Sequence, residues 1–303
     1  MHLVPYTRSD APVTHGRAGI LVDGRVVDIA HASAGRLPPT MQQLLDDHPD
    51  LDAALRELPA DVAVGAEDVR LLAPLPRPLS LRDFMAFEDH VRHTREKRGS
   101  RVPDAWYQFP VFYFSNHLAI LGADEGVVSP PGCEQLDFEF EVAVVIGRPG
   151  RDIAEADAWS HVAGLTIMND WSARDLQVRE IPAGLGPAKG KDFATTMGPA
   201  LVTLDELRPR LVGDRLSLAM VGRRNGEEFT STNLDTIYHP IPRIIARASA
   251  GVTLHPGEVL GLGTVPNGCL LEQAEPAWLQ PGDVVELEVE TLGLLRSEVR
   301  AGA

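Results

Sequence analysis

Acidic residues alternate along one segment of this sequence and could bind a metal ion. Residues 137–146 read Asp-Phe-Glu-Phe-Glu-Val-Ala-Val-Val-Ile. Because alternate side chains of a strand share a face, Asp137, Glu139 and Glu141 would lie side by side. An exposed polar face explains such alternation in many strands. The apolar run that follows predicts that this strand enters a core, and carboxylates at the entrance of a core favour a hard metal ion with oxygen ligands.

A further carboxylate, that of Asp170, ends the apolar segment 162–170. Two interpretations are open here: Asp170 is the N-cap of a helix that starts close to it, or its carboxylate joins the acidic residues of the other strand. Arg174 and Gln177 follow at i+4 and i+7, so a helix over 171–180 would place both near the side of Asp170.

The histidine His90 is a candidate general base, since it follows Asp83 by seven residues, or two helical turns. A single charged helix is predicted over residues 84–98, and Asp83 and His90 would then share one face. The alternative is a capping box from Ser80 to Asp83 with His90 as a surface histidine.

Two glycine-rich segments carry further polar groups. Lys191 follows the loop 183–190, and a lysine in such a place is by default a solvated charge. Thr264 lies in the segment 259–272, where a strand runs into a turn whose backbone N–H groups could hold an anion. An ordinary loop explains that segment equally well.

The elements that must position these residues are mostly short strands. A hairpin is predicted over 18–30, because Asp23-Gly24 is a two-residue turn signal between β-rich runs. Helical spacing covers 40–58, with a break near His48-Pro49. Strands are predicted over 138–147, 163–169, 199–204, 215–222, 258–263 and 284–291, and helices over 171–180 and 238–249. The pattern indicates a β-rich α+β protein, with a small N-terminal α+β domain over 1–75 and a catalytic domain over 76–303.

Composition narrows the classes of partner. The chain has 303 residues, with 43 Asp plus Glu against 28 Lys plus Arg, which gives a net charge of −15. Such a surface repels phosphate backbones and anionic lipid, so nucleic acid and membrane partners are not expected. We find no signal peptide and no apolar run long enough to span a bilayer, and we therefore expect a cytoplasmic protein. The two cysteines, Cys133 and Cys269, are expected to be packing thiols.

Five separate segments, taken together and in their order along the chain, resemble the fumarylacetoacetate hydrolase family. The resemblance runs from about Leu81 to Val299. Each motif is weak alone, and their common order carries the resemblance. The segments read Leu136-Asp-Phe-Glu-Phe-Glu141, Met168-Asn-Asp-Trp-Ser-Ala-Arg-Asp-Leu-Gln177, Gly190-Lys-Asp-Phe193, Gly261-Leu-Gly-Thr264 and Leu279-Gln-Pro-Gly-Asp-Val-Val285.

The resemblance implies a mixed β-sandwich roll, a homodimer and a set of roles for the site. The implied metal ligands are Asp83, Glu139, Glu141 and Asp170. The implied catalytic residues are His90, Glu272 as the acidic partner that orients it, and Lys191. The implied substrate-binding residues are Tyr113, Arg174, Gln177 and Thr264. Departures from the family pattern are Met85 and Ile181, where tyrosines are expected, and Gly99 in place of an arginine, which indicates a different substrate-binding shell.

Such a site would cleave a C–C bond in a β-diketone or acylpyruvate-type acid similar to fumarylacetoacetate. Carboxylate ligands select Mg²⁺, with Ca²⁺ or Mn²⁺ also suitable, over zinc. His90, held by Glu272, would take a proton from the attacking water. The alternative is a decarboxylase, hydratase or isomerase of a 2-oxo acid such as oxaloacetate, which would use the same metal-enolate site. A catalytically silent, metal-stabilised dimer would lack a ligand or the base, and neither is missing from this sequence.

Overall fold

The computed structural model describes residues 1–8, 16–56, 58, 63–65 and 69–302. The strands are β1 His2–Arg8, β2 Arg17–Val22, β3 Arg25–Asp28, β4 Ala63–Gly65, β5 Val69–Leu71, β6 Ser80–Phe84, β7 Phe112–Phe114, β8 Ile120–Leu121, β9 Val127–Val128, β10 Leu136–Asp137, β11 Phe140–Ile146, β12 Gly150–Arg151, β13 Val162–Asp170, β14 Ser172–Ala173, β15 Thr195–Thr203, β16 Leu211–Val212, β17 Arg215–Leu216, β18 Ala219–Arg224, β19 Glu227–Asn233, β20 Thr253–Leu254, β21 Glu258–Gly261, β22 Val284–Val289 and β23 Gly293–Arg300.

Short helices connect these strands. The α-helices are α1 Ile29–Ala32, α2 Met41–Asp47, α3 Leu51–Leu55, α4 Glu88–Lys97, α5 Asp104–Gln108, α6 Arg174–Glu180, α7 Leu204–Leu207 and α8 Ile241–Ser249. Stretches of 3₁₀ helix cover Glu155–His161, Ile181–Ala183, Arg208–Arg210, Leu234–Thr236 and Leu270–Glu272. The β-rich α+β class expected from the sequence is confirmed.

Two sheets organise the described residues. The larger one runs in the order β4-β3-β2-β1-β15-β13-β11-β21-β6-β7, with β5 beside β1 and β8 beside β15. The smaller sheet runs β19-β18-β22-β23-β9. Most pairs are antiparallel, but β21 and β6 pair in parallel, with Gly261 opposite Asp83. This pairing places the segment around residue 83 beside β21, with only that strand between it and β11.

Strand β11 lies in the centre of the larger sheet and is buried on both faces. Val142, Val144 and Ile146 pack into the core that also contains residues of the smaller sheet. Ala143 and Val145 pack on the opposite face, in the core formed with the N-terminal helices. Burial on two faces explains why this strand reads as a continuous apolar run rather than an alternating one.

The predicted hairpin and split helix are confirmed. β2 and β3 pair around Asp23 and Gly24, whose φ angles of 50° and 70° are those of the turn that matches the twist of a hairpin. Thr40 caps α2 through the N–H of Gln43, and Asp50 caps α3 through the N–H of Ala53. Residue 57 of the predicted helical stretch 40–58 lies outside the described residues.

The N-terminal strands belong to the same sheet as the strands of the proposed catalytic region. β1 pairs with β15, with His2 opposite Val202 and Leu3 opposite Leu201. The division into regions 1–75 and 76–303 therefore stays a prediction, and the sheet is continuous across it. Among the described residues, no helix combines the length and the apolar character needed to cross a bilayer.

Candidate active site

Three carboxylates meet at one end of four neighbouring strands. β11 runs antiparallel to β13 and β21, and β6 runs parallel to β21, so the start of β11 lies beside the ends of the other three. Glu141 stands near that start, Asp170 at the end of β13 and Asp83 near the end of β6. One oxygen atom from each residue lies within 4.8 Å of the other two. We call these three residues the carboxylate cluster.

A glycine leaves room for the carboxylate of Asp83. Gly261 lies opposite Asp83 in the parallel pair, and a Cβ atom at position 261 would come 2.6 Å from Oδ1 of Asp83. The same Cβ atom would come 2.5 Å from Cε of Met168, so any larger residue at position 261 would force these side chains to move. The glycine of the Gly261-Leu-Gly-Thr264 motif is therefore required by the packing of the site.

The carboxylate cluster has the properties of a cation site. Oδ1 of Asp83 and Oδ1 of Asp170 are buried without a hydrogen-bond partner. Burial, followed by the charge of Asp170, raises the pKa of Asp83 well above its ordinary value, and burial and Asp83 do the same for Glu141. Three buried carboxylates repel each other unless a cation lies between them. These oxygen donors fit a hard divalent ion such as Mg²⁺.

Glu139 lies beside the cluster and is held by two cations. Nζ of Lys191 lies 2.5 Å from Oε2 of Glu139 and 2.5 Å from Oδ2 of Asp170. Nη2 of Arg174 lies 2.7 Å from Oε1 of Glu139. Burial opposes the charge of Glu139, but Lys191 and Arg174 outweigh it and hold its pKa below the ordinary value. Burial likewise opposes the charge of Lys191, while Asp170 and Glu139 raise its pKa, so its side chain is an ammonium.

Three hydrogen bonds fix the cluster from its other sides. The hydroxyl of Tyr113 donates to Oδ2 of Asp170 at 2.6 Å. The N–H of Gly263 donates to Oε2 of Glu141 at 3.0 Å, and the hydroxyl of Thr264 donates to Oε1 at 3.4 Å. Burial, followed by the charge of Asp170, raises the pKa of Tyr113, which keeps the phenol protonated as a donor.

His90 and Glu272 form a hydrogen-bonded pair. Nδ1 of His90 lies 3.0 Å from Oε2 of Glu272, and Nδ1 of the nearby His93 lies 3.2 Å from Oε1. Burial raises the pKa of Glu272, but its hydrogen bond with His90 outweighs this and lowers the pKa, so Glu272 is a carboxylate. A carboxylate can only accept, which assigns the proton of neutral His90 to Nδ1 and leaves Nε2 as its basic nitrogen.

One cavity of about 310 Å³ connects these groups. This size suits a small-molecule ligand. Its lining includes eight of the residues predicted from the sequence: Asp83, His90, Tyr113, Glu139, Glu141, Gln177, Lys191 and Thr264.

The cavity also contains cationic side chains that the sequence analysis missed. Arg95 lies in the last turn of α4 and Arg98 is the C-cap of that helix, and both line the cavity with His90. No residue pattern within α4 predicts that these arginines line the cavity, because His90, Arg95 and Arg98 do not share one strict helical stripe. Both could bind a carboxylate of a ligand.

Several sequence predictions are corrected by the structure. Asp83 and His90 do not share a helix, since Asp83 lies on β6 and α4 begins only at Glu88. Asp170 is not a helix N-cap, because β13 extends to it and the N-cap position of α6 is Ala173. Asp137 does not join the other acidic residues. Its oxygens accept from Arg174 and from the N–H groups of Leu270 and Leu271.

Arg174, expected to bind substrate, lies behind Glu139 instead of in the cavity lining. It is 3% exposed, and its guanidinium contacts Asp137, Glu139 and the side-chain oxygen of Gln177. This position favours a role in holding the carboxylates. Glu139 is not part of the close oxygen cluster, and its predicted role as a metal ligand stays a prediction.

Comparison with known proteins identifies the family of this chain. A family model described as fumarylacetoacetate hydrolase, C-terminal, matches residues 81–300. The fumarylacetoacetate hydrolase domain-containing protein 2 of Pongo abelii is 37% identical over 267 residues, which are 87% of this chain and 80% of that protein. The mitochondrial oxaloacetate tautomerase FAHD2A of Homo sapiens is 36% identical over 267 residues, with the same coverage of 87% and 80%.

Solved structures agree as well. The fumarylacetoacetate hydrolase of Exiguobacterium antarcticum has a TM-score of 0.78 and 25% identity, with 100% of both chains covered. The name of the human relative places that protein in mitochondria, so the expected cytoplasmic location of this chain stays a prediction, as does the expected homodimer. The matched domain, the similar relatives and the shared fold show that this chain belongs to the fumarylacetoacetate hydrolase family of enzymes.

Proposed function

We propose that this protein is a metal-dependent isomerase that interconverts the keto and enol forms of a small 2-oxo acid, with oxaloacetate as the first candidate. The observation that carries the proposal is one cavity in which a carboxylate cluster, a buried ammonium and a histidine base come together. The human relative, which is named as an oxaloacetate tautomerase, supports this class of reaction. The C–C hydrolase reaction expected first from the sequence is not confirmed.

A divalent metal fits the acidic residues. Asp83, Glu141 and Asp170 would hold it, and Glu139 would complete the ligand set predicted from the sequence. The metal, for which the oxygen donors favour Mg²⁺, would withdraw electron density from the 2-oxo group and so acidify the neighbouring C–H bond.

Lys191 would stabilise the oxygen on which negative charge develops. Its ammonium is 4% exposed and lies 2.5 Å from both Glu139 and Asp170, so it is fixed before the substrate binds. A preorganised donor needs no rearrangement during the reaction, and the loss of one such donor typically slows turnover by about 10²–10³-fold. Gln177 would contact the same carbonyl region from α6.

His90 would move the proton. Nε2 of His90 takes the proton from the carbon next to the carbonyl group, and that proton is then delivered to the oxygen to give the enol. Glu272 holds the ring through Nδ1 and stabilises the imidazolium while it carries the proton. Arg95 and Arg98 would bind the carboxylates of the substrate, and Thr264 would join them by turning its hydroxyl from Glu141 to the substrate. Tyr113 would keep Asp170 in place.

A second candidate, hydrolysis of a C–C bond in an acylpyruvate-type acid, is favoured by the same His90–Glu272 pair. A histidine held by a buried carboxylate can also take a proton from water. The two reactions therefore differ in whether a water molecule lies between His90 and the substrate.

One experiment separates the two candidates. The purified protein is given oxaloacetate and, separately, acetylpyruvate, each with Mg²⁺ and after chelation. Loss of enol absorbance that requires the metal, with oxaloacetate otherwise intact, supports the isomerase. Release of two acids from acetylpyruvate, without faster tautomerisation of oxaloacetate, would overturn it in favour of the hydrolase.

A further inference from the structure

A second group of potential metal ligands lies next to the carboxylate cluster and differs from it in chemistry. Sγ of Cys269 lies 3.5 Å from Oε2 of Glu272, and Nδ1 of His90 lies 3.0 Å from the same oxygen. One ligand atom from each of the three residues lies within 4.8 Å of the other two. With His93, whose Nδ1 lies 3.2 Å from Glu272, these residues form what we call the thiol cluster.

Two short elements present these side chains. Cys269 and Glu272 are the first and fourth residues of a Cys-Leu-Leu-Glu segment on a 3₁₀ turn, where side chains at i and i+3 lie above each other. His90 and His93 have the same spacing on α4, where i and i+3 share a face. Asp137 fixes the 3₁₀ turn by accepting from the N–H groups of Leu270 and Leu271. The ligand atoms are thus placed by backbone geometry.

We propose that the thiol cluster is a binding site for Zn²⁺ or a similar borderline transition-metal ion, and that its occupation blocks turnover by removing His90 from the reaction. Imidazole, thiolate and carboxylate are the donors that zinc prefers, whereas a thiolate is a poor ligand for Mg²⁺. Zn–N bonds of about 2.0 Å and Zn–S bonds of about 2.3 Å place tetrahedral ligand atoms roughly 3.3–3.8 Å apart. The spacings between the side chains around Glu272 are close to this range.

Charge balance also favours a dication at this place. On binding, the thiol of Cys269 loses its proton to solvent as the Zn–S bond forms, and the proton on Nδ1 of His90 passes through solvent to Nε2, so that Nδ1 can bind the metal and Nε2 is no longer basic. The Glu272 carboxylate is already an anion. Two anionic ligands then neutralise Zn²⁺, which matters because Cys269 is 1% exposed and the side chain of Glu272 is also 1% exposed. The side chain of His93 is 32% exposed and His90 lines the cavity, so the cluster is open to solvent from both histidines.

The metal site can be tested without turnover. Co²⁺ is titrated into the full chain in excess Mg²⁺, and near-ultraviolet absorption from a Co²⁺–thiolate bond is recorded. The carboxylate cluster contains no sulfur and gives no such band. The wild type and Cys133→Ser, a matched control at the other cysteine, should show the band, and Cys269→Ser should not. Absence of the thiolate band from the wild type would overturn the proposed metal site, whatever spectrum Cys269→Ser gives.

Inhibition by Zn²⁺ tests the second part of the proposal, that the bound metal blocks turnover, and this part rests on the proposed function. Zn²⁺ should inhibit oxaloacetate tautomerisation at saturating Mg²⁺, and Cys269→Ser should need on the order of 100-fold more Zn²⁺ for half inhibition, because it lacks one ligand. Inhibition that added Mg²⁺ relieves, or that is equal in Cys269→Ser, would overturn the proposal in favour of zinc at the carboxylate cluster. A thiolate band without inhibition would keep the metal site and refute the role of His90 in turnover.

Discussion

Lys191 offers a stringent test of the proposed chemistry, because removal of its ammonium should lower turnover and stability without weakening metal binding. The substitution Lys191→Met keeps the length of the side chain and removes the ammonium that lies 2.5 Å from Glu139 and from Asp170. Loss of this preorganised donor should lower kcat by about 10²–10³-fold, which corresponds to ~3 kcal/mol of transition-state stabilisation.

Stability without metal should also fall. Breaking a buried ion pair by removing one partner costs about 3–5 kcal/mol. Here the lower end is expected, since Arg174 still pairs with Glu139 and Tyr113 still donates to Asp170. Mg²⁺ should bind the variant at least as tightly as the wild type, because a positive charge beside its ligands has been removed. Added Mg²⁺ should therefore restore more stability to Lys191→Met than to the wild type.

The assays are oxaloacetate tautomerisation, calorimetric titration with Mg²⁺ and thermal unfolding with and without Mg²⁺. Lys189→Met is the matched control, since the side chain of Lys189 is 71% exposed and pairs with Asp192 at the surface. It should leave all three measurements close to those of the wild type. Turnover of Lys191→Met within tenfold of the wild type, or clearly weaker Mg²⁺ binding, would refute the reasoning.

Three further changes test other parts of the molecule. His90→Ala should lower turnover by about 10²-fold or more and leave Mg²⁺ affinity unchanged, as measured by steady-state kinetics and calorimetry. Undiminished turnover would remove His90 from the mechanism. Gly261→Ala places a Cβ atom 2.5 Å from Cε of Met168 and 2.6 Å from Oδ1 of Asp83. Calorimetry should therefore show Mg²⁺ affinity reduced by about tenfold or more, and an unchanged Kd would contradict the displacement of Asp83 from a ligand position. Burial raises the pKa of Asp28, but its bonds to Arg17 and Tyr6 outweigh this and lower the pKa to about 2. The contribution of the Asp28 carboxylate to stability is therefore present above pH 4 and lost as the pH falls toward 2. Asp28→Asn should lower the free energy of unfolding at pH 7 by about 1–2 kcal/mol, a value discounted because Arg17 is half exposed. At pH 2 the loss should be much smaller. Urea unfolding at both pH values checks this, and an equal loss at pH 7 and pH 2 would contradict the assignment.

The local elements were largely predictable because their signals are local. The turn at Asp23-Gly24, the break between α2 and α3 near His48-Pro49 and the apolar run of β11 each depend on a few neighbouring residues. The position of Asp83 was not predictable in this way. Its strand pairs with β21, about 180 residues further along the chain, and a spacing of seven residues suits a helix just as well. Only the long-range pairing decides between the two structures.

The candidate site shows the same limit. Glu139 and Glu141 could be recognised from their place at the start of a buried strand, whereas Asp137, two residues earlier, has the same alternation and serves to hold a 3₁₀ turn. The His90–Glu272 contact joins positions 182 residues apart, so the resemblance to a family could suggest it and periodicity could not. Arg95 and Arg98 enter the cavity because α4 lies across it, which no residue pattern within the helix specifies.

The choice between isomerisation and hydrolysis depends on the surroundings of the basic nitrogen of His90. Both reactions use the same base, the same oxygen ligands and the same ammonium, so none of these groups distinguishes them. The cavity wall does differ from the family pattern, since Met85 and Ile181 stand where tyrosines were expected and both line the cavity. Two apolar side chains in place of hydroxyl groups remove donors that could hold a water molecule for attack. Fewer hydrogen-bond donors in this part of the wall favour direct proton transfer between His90 and the substrate carbon, as the proposed isomerase reaction requires.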